Sequence, residues 1–172
     1  MAQNKQTVYH GTSVAAAANI REEQHFRESR TLGEWLGWGV YFFPYKEHAR
    51  RWIKTRKLDP GDVLTATLEY DDRELLDLDD PDQLEAVNCV MGKLMKTLTS
   101  QGKAHPDVKN ESEQEKKKRW CLSCNMYRKL HPEIGVIIYT FPRHNPPPGP
   151  SGFPSNARQL CVAKHNLITN VV

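Results

Sequence analysis

The chain has 172 residues, 38% of them hydrophobic, with a net charge of +3 and a mean hydropathy of -0.68. That length carries a single domain with a real core, so residues 1–172 are expected to form one unit. No apolar run approaches the ~20 residues that span a bilayer, which excludes a membrane partner of that kind, and the mild positive charge permits nucleic acid as a partner without demanding it.

The opening residues 1–6 are polar and have no apolar stretch of the secretory kind. The four cysteines, Cys89, Cys121, Cys124 and Cys161, are too sparse for a disulfide framework. Both features make a reducing cytoplasm the expected location.

In chain order, residues 7–10 read as a short strand, and Ser13 as the N-cap of an alanine-rich helix over 14–20. Residues 22–35 have no clean period and read as loop. Residues 38–43 form a strand opened by glycines and stopped by Pro44. Residues 46–57 are helical, with Ala49, Trp52 and Ile53 on one face and basic residues on the other. After the turn at 59–62, residues 63–70 alternate as a strand, and 75–78 make a second short one.

Asp80 before Pro81 is a good helix start. Leu84, Val87, Val90, Met91, Leu94, Met95 and Leu98 follow at helical spacing. Residues 100–110 are a polar connection. Residues 111–130 form the next helix, with Trp120, Cys124, Tyr127 and Leu130 inward, ended by His131-Pro132. Residues 134–141 are the most apolar strand, 142–156 a proline- and glycine-rich loop, and 158–163 and 167–172 the last strands. Strands at both ends with helices between them predict an α+β domain, its sheet mostly antiparallel, with a helical insertion at about 81–132.

Three short segments carry the chemistry. Tyr9-His10-Gly11-Thr12 lies near the start, Gly37-Trp38-Gly39-Val40-Tyr41-Phe42-Phe43 about thirty residues later, and Gln159-Leu160-Cys161-Val162 near the end. They resemble the three motifs of the ADP-ribosyltransferase superfamily, more narrowly its poly(ADP-ribose)-polymerase and diphtheria-toxin-like branch. The motifs there are a histidine followed by glycine and Ser or Thr, a tyrosine in a Gly-x-Gly-x-Tyr-Phe strand, and a variable third residue that is often Glu. The resemblance covers about residues 7–78 and 134–168, and leaves the helical pair outside it.

The resemblance implies split antiparallel sheets around a cleft that holds NAD as co-substrate. His10, Tyr41 and Gln159 would be the catalytic set. His10, Gly11, Thr12, Tyr41, His48 and Trp52 would bind NAD. These residue types suit the reaction. Loss of nicotinamide leaves an oxocarbenium-like ribose, so positioning and charge stabilisation dominate. A histidine can hydrogen-bond a ribose hydroxyl, a glycine lets backbone approach closely, and a tyrosine offers a face for stacking. Gln159 departs from the glutamate of polymerising members. It keeps an acceptor oxygen and lacks the charge, which implies transfer of a single ADP-ribose.

The expected acceptor is a macromolecule, nucleic acid (RNA or DNA) ahead of protein. Small size gives the chain a toxin-like character by analogy, and an antitoxin or inhibitor protein is a partner class that goes with it. The loop at 142–156, with Arg143, His144, Asn145 and Phe153, would face the acceptor, helped by Lys116-Lys117-Lys118-Arg119.

Each residue also has a plainer reading. His10 can be a capped core histidine, Tyr41 one more core aromatic, Gln159 an edge residue and Trp52 part of the core. Period-two alternation puts Tyr41 and Phe43 on one face and Val40 and Phe42 on the other without choosing between them. The basic run at 116–119 can be a solvated helix face beside Glu111, Glu113 and Glu115. Cys121 and Cys124 form a lone CxxC inside a helix, and a zinc site would need further ligands such as Cys89, His105 or His131, so no metal is expected. Two other classes remain open: a catalytically silent module that binds NAD or ADP-ribose, and an interaction protein working through the helical insertion.

Overall fold

Residues 63–71 alternate strictly in burial, with Leu64, Ala66, Leu68 and Tyr70 inward, and form the backbone of the first sheet. The computed structural model describes residues 3–101, 110–142 and 156–172. Strand β1 (Gln3–Ser13) pairs antiparallel with β3 (Gly61–Asp71) along its whole length, from Gln3 opposite Asp71 to Ser13 opposite Gly61. The far edge of β3 carries the short β7 (Ile168–Thr169). β1 is longer than the sequence predicts. Its polar first half lies on an open edge, where backbone pairing with β3 rather than apolar patterning holds it.

The second sheet has the order β2 (Val40–Phe42), β6 (Ala157–Val162), β5 (Val136–Phe141), β4 (Leu75–Asp77). The β4–β5 pair is parallel and the other pairs are antiparallel. This sheet is buried on both faces. Val40, Phe42, Val136, Ile138, Leu160 and Val162 pack with Val8, Leu64 and Leu68 of the first sheet. The intervening Ile137 and Cys161 pack on the other side with Leu36, Leu76, Val87 and Cys124. Burial on both faces at Val136, Ile137 and Ile138 is why the start of β5 reads as an apolar run rather than an alternating one.

Helices α1 (Val14–Glu23), α2 (Lys46–Thr55), α3 (Pro81–Ser100) and α4 (Glu113–Leu130) complete the fold. Ser13 caps α1 by accepting from Ala16 N–H at 3.2 Å. Asp80 caps α3 by accepting from Asp82 N–H, with Pro81 in the first turn. Ser112 and Glu115 form a reciprocal capping box on α4. The protein is therefore of mixed α and β type, with α3 and α4 inserted between β4 and β5.

Several expectations need correction. The strand predicted from Trp38 starts at Val40, because Gly37 (φ 85°) and Gly39 (φ 157°) hold backbone that other residues rarely adopt. The last strand is only Ile168–Thr169, since Asn170 (φ 51°) interrupts the ladder, which Val172 rejoins by exchanging main-chain bonds of 2.9 Å with Thr65. Leu130, expected inward, is 58% exposed, while Cys121 is fully buried. Along α3 only Val87 is buried. Val90, Met91, Leu94, Met95 and Leu98 are half-exposed and Leu84 is exposed.

Candidate functional site

The two sheets meet at one antiparallel bridge. Tyr9 N–H donates to Phe43 O, and Phe43 N–H to Tyr9 O, both at 2.8 Å. This bridge brings His10 of β1 next to Tyr41 of β2, although they are far apart in sequence. The His10 ring Nδ1 lies 2.8 Å from the Tyr41 carbonyl oxygen. A carbonyl only accepts, so Nδ1 carries the hydrogen. In the neutral ring Nε2 then has the free lone pair.

His10 lies deep in the molecule yet keeps part of its ring open. Phe26 and Phe42 meet it edge-to-face, at 5.2 and 5.8 Å between centroids. Burial lowers its pKa below the ordinary 6.5, opposed only in part by the bond to Tyr41. The neutral form is therefore the one the fold favours.

Tyr41 is held at its other end. Its hydroxyl donates to Gly37 O at 2.7 Å and accepts from Leu36 N–H at 2.9 Å. Burial, then the neighbouring Cys161 thiol, and to a lesser degree the charge of Glu34, push its pKa well up. Tyr41 therefore keeps its proton. It acts as a clamp on the loop before β2 and as a ring wall, not as an acid or base.

These residues open onto a cleft of about 430 Å³, within the roughly 300–1,000 Å³ common for ligand sites. His10, Gly11, Tyr41, Trp52 and Gln159 all line it. Gln159 comes from β6, opposite Tyr139 on β5, and is half-buried. Trp52 comes from α2, half-buried and outside the core clusters. Its ring carries the Arg56 guanidinium at 4.3 Å.

Two of the predicted residues are elsewhere. Thr12 is not among the lining residues and pairs with Asp62 in the first sheet. His48 sits in the first turn of α2 and turns its ring toward Phe43 and Tyr45. Gly11 does line the cleft, but its missing Cβ serves packing. A Cβ there would lie 2.5 Å from the main-chain oxygen of Ala49 on α2. The loop residues Arg143, His144, Asn145 and Phe153, and also His105, lie outside the described residues.

Sequence reasoning missed Arg27, Glu34 and Trp35 as lining residues, and named Lys117 only for the acceptor. Arg27, Glu34 and Trp35 reach the cleft from the loop between α1 and β2, and Lys117 reaches it from α4. The Lys117 ammonium sits over the Trp35 ring at 5.0 Å. The cleft lining thus holds two tryptophan–cation pairs, Trp52 with Arg56 and Trp35 with Lys117. The only sequence signal was negative, a loop at 22–35 without period. Of the basic run, Arg119 is tied to Glu111 by two bonds of 2.6 and 2.8 Å. Lys116 lies 3.8 Å from Glu113.

Cys121 and Cys124 are buried thiols of α4, and burial pushes Cys124 and Cys161 up to about 12. That makes them poor ligands and poor nucleophiles. Among the described residues no group of three or more His, Cys, Asp and Glu side chains could hold a metal ion. Among the same residues no helix is long and apolar enough to cross a membrane.

No protein-family model matches the chain, and no solved structure matches it. Over 84 residues it is 30% identical to an uncharacterized protein of Methanocaldococcus jannaschii. That similarity covers 45% of this chain, and the chain spans 39% of the length of that relative.

Proposed function

We propose that this chain is a NAD-dependent mono-ADP-ribosyltransferase of the ADP-ribosyltransferase superfamily, toxin-like in character, that modifies a macromolecule. The observation that carries this reading is convergence. His10, Tyr41 and Gln159 come from three distant segments, and all line one cleft.

The chemistry available in the cleft fits the substrate. The free Nε2 of neutral His10 accepts a hydrogen bond from a ribose hydroxyl. Tyr41 and Trp52 give aromatic walls for the nicotinamide ring. Arg27 and Arg56 supply positive charge for a pyrophosphate. The Gln159 amide can bond a ribose hydroxyl but brings no charge, which favours a single transfer over chain growth.

Nucleic acid is the favoured acceptor. Trp35 with Lys117 over it forms a half-exposed stacking and phosphate-binding ledge on the α4 side of the cleft. Incubation with NAD labelled in its ADP-ribose part and total cell lysate tests the reading. Label lost on nuclease treatment supports a nucleic-acid acceptor. Label lost on protease treatment assigns a protein acceptor and leaves the transferase standing. NAD binding with no release of nicotinamide would make the chain a silent binding module.

A further inference from the structure

We infer that Glu34 supplies the carboxylate which the third motif lacks, and that it is a catalytic residue of this cleft. The inference rests on the transferase reading above. Breaking the bond from nicotinamide to ribose develops positive charge on the ribose, and a nearby anion stabilises it. Gln159 cannot be that anion. Among the described residues that line the cleft, Glu34 is the only carboxylate.

Glu34 is held in place. Its Oε1 accepts from Ser29 Oγ at 2.6 Å and from Thr31 Oγ1 at 3.4 Å. The shorter contact has the length of a charge-assisted bond. Oε2 makes no hydrogen bond among the described residues, so one oxygen anchors the side chain and the other is left for a ligand. The loop itself is pinned on both sides. Ser29 and Gly39 exchange main-chain bonds of 2.9 and 3.1 Å. The Tyr41 hydroxyl grips Leu36 and Gly37. A carboxylate two residues from that clamp is a preorganised charge rather than a wandering surface group.

The step balances without any further reagent. The C1′–N bond breaks, and its electron pair goes to the ring nitrogen, which turns the nicotinamide pyridinium into neutral nicotinamide. The lone pair of the acceptor, or of water, forms the new bond to C1′. The proton that the acceptor loses passes to the free oxygen of Glu34 and then to solvent.

Glu34→Gln is the direct test, because the amide oxygen still accepts from Ser29 and Thr31 and keeps the loop. The assay is nicotinamide release from NAD in water, with NAD affinity measured alongside. The expected result is a fall in kcat of about 10²–10³ with affinity nearly unchanged. Adding Gln159→Glu to E34Q should return part of the loss. Should E34Q fail to fold, Glu34→Ala in added formate decides, since an external carboxylate restores release only if charge is what was removed. Release by E34Q close to that of the unaltered protein, or no rescue by formate in a folded E34A, overturns the inference and leaves the transferase reading intact. No release by the unaltered protein removes both.

Discussion

The 2.8 Å contact between His10 Nδ1 and the main-chain oxygen of Tyr41 fixes which nitrogen of the histidine carries the hydrogen. Because Nδ1 donates, the neutral ring keeps its free lone pair on Nε2, the form that the proposed function uses. The pH dependence follows. The folded pKa of His10 lies below 6.5, so between that value and about 6.5 the unfolded chain binds a proton that the folded chain does not. Its contribution to stability is complete above about pH 6.5 and is lost as pH falls through the folded pKa. His165, also lowered by burial and by nearby His25, adds a slope of the same sign. Denaturant unfolding from pH 8 to 5 should therefore show a shallower acid loss in His10→Gln than in the unaltered chain. Equal slopes would mean His10 is not the buried neutral base described above.

Tyr41→Phe should separate the clamp from the ring. The ring wall stays, while Leu36 N–H, in a fully buried residue, loses its acceptor. Leaving such a group unsatisfied costs about 1–3 kcal/mol. Unfolding free energy should drop by that amount, and nicotinamide release should slow as the loop carrying Glu34 and Trp35 loosens. A stability within about 0.5 kcal/mol of the unaltered protein would show that the two bonds are not needed.

Gly11→Ala should damage both packing and site. The added methyl meets Ala49 O at 2.5 Å and Ile53 Cγ1 at 3.1 Å, so α2 must shift. Overpacking of this kind costs about 1–3 kcal/mol, and the shift carries Trp52 away from the cleft. Thermal unfolding and NAD titration read the two effects. An alanine variant unchanged in both would contradict the close approach of α2 to β1.

Gln159→Ala is expected to lower transfer by roughly 10² or more, as when one positioned partner is removed from such a site. NAD affinity should change far less. Transfer at the original rate would take Gln159 out of the catalytic set.

Lys117 and Arg119 are close in sequence but differ in what they touch. Lys117 lies over Trp35 in the cleft, whereas both guanidinium bonds of Arg119 go to Glu111. Lys117→Ala should weaken acceptor binding and flatten its dependence on salt. Arg119→Ala should leave that dependence alone and loosen the start of α4. Equal effects on the salt slope would point to a general basic face instead of a ledge.

Much of the fold was legible because its signals are local. Ser13, Asp80-Pro81 and the alternation over 63–70 each announce an element within a few residues. What covers a face is not local. The apolar spacing of α3 gave its helix correctly but not that Leu84 and the stripe from Val90 to Leu98 stay partly exposed. His10, Tyr41, Trp52 and Gln159 could be named from motifs. Their meeting depends on the Tyr9–Phe43 bridge, which no short-range pattern encodes. Glu34 and Trp35 were invisible for the same reason, since an aperiodic loop gains its meaning only from what it is folded against.

Release of nicotinamide from NAD by the purified chain, followed with the His10→Ala and Tyr41→Ala variants beside it, tests the central claim most directly. The expected result is steady release by the unaltered protein and loss of most of it in both variants, with their folds retained. Release that persists in a well-folded Tyr41→Ala protein, or none from the unaltered chain although NAD binds, would contradict it.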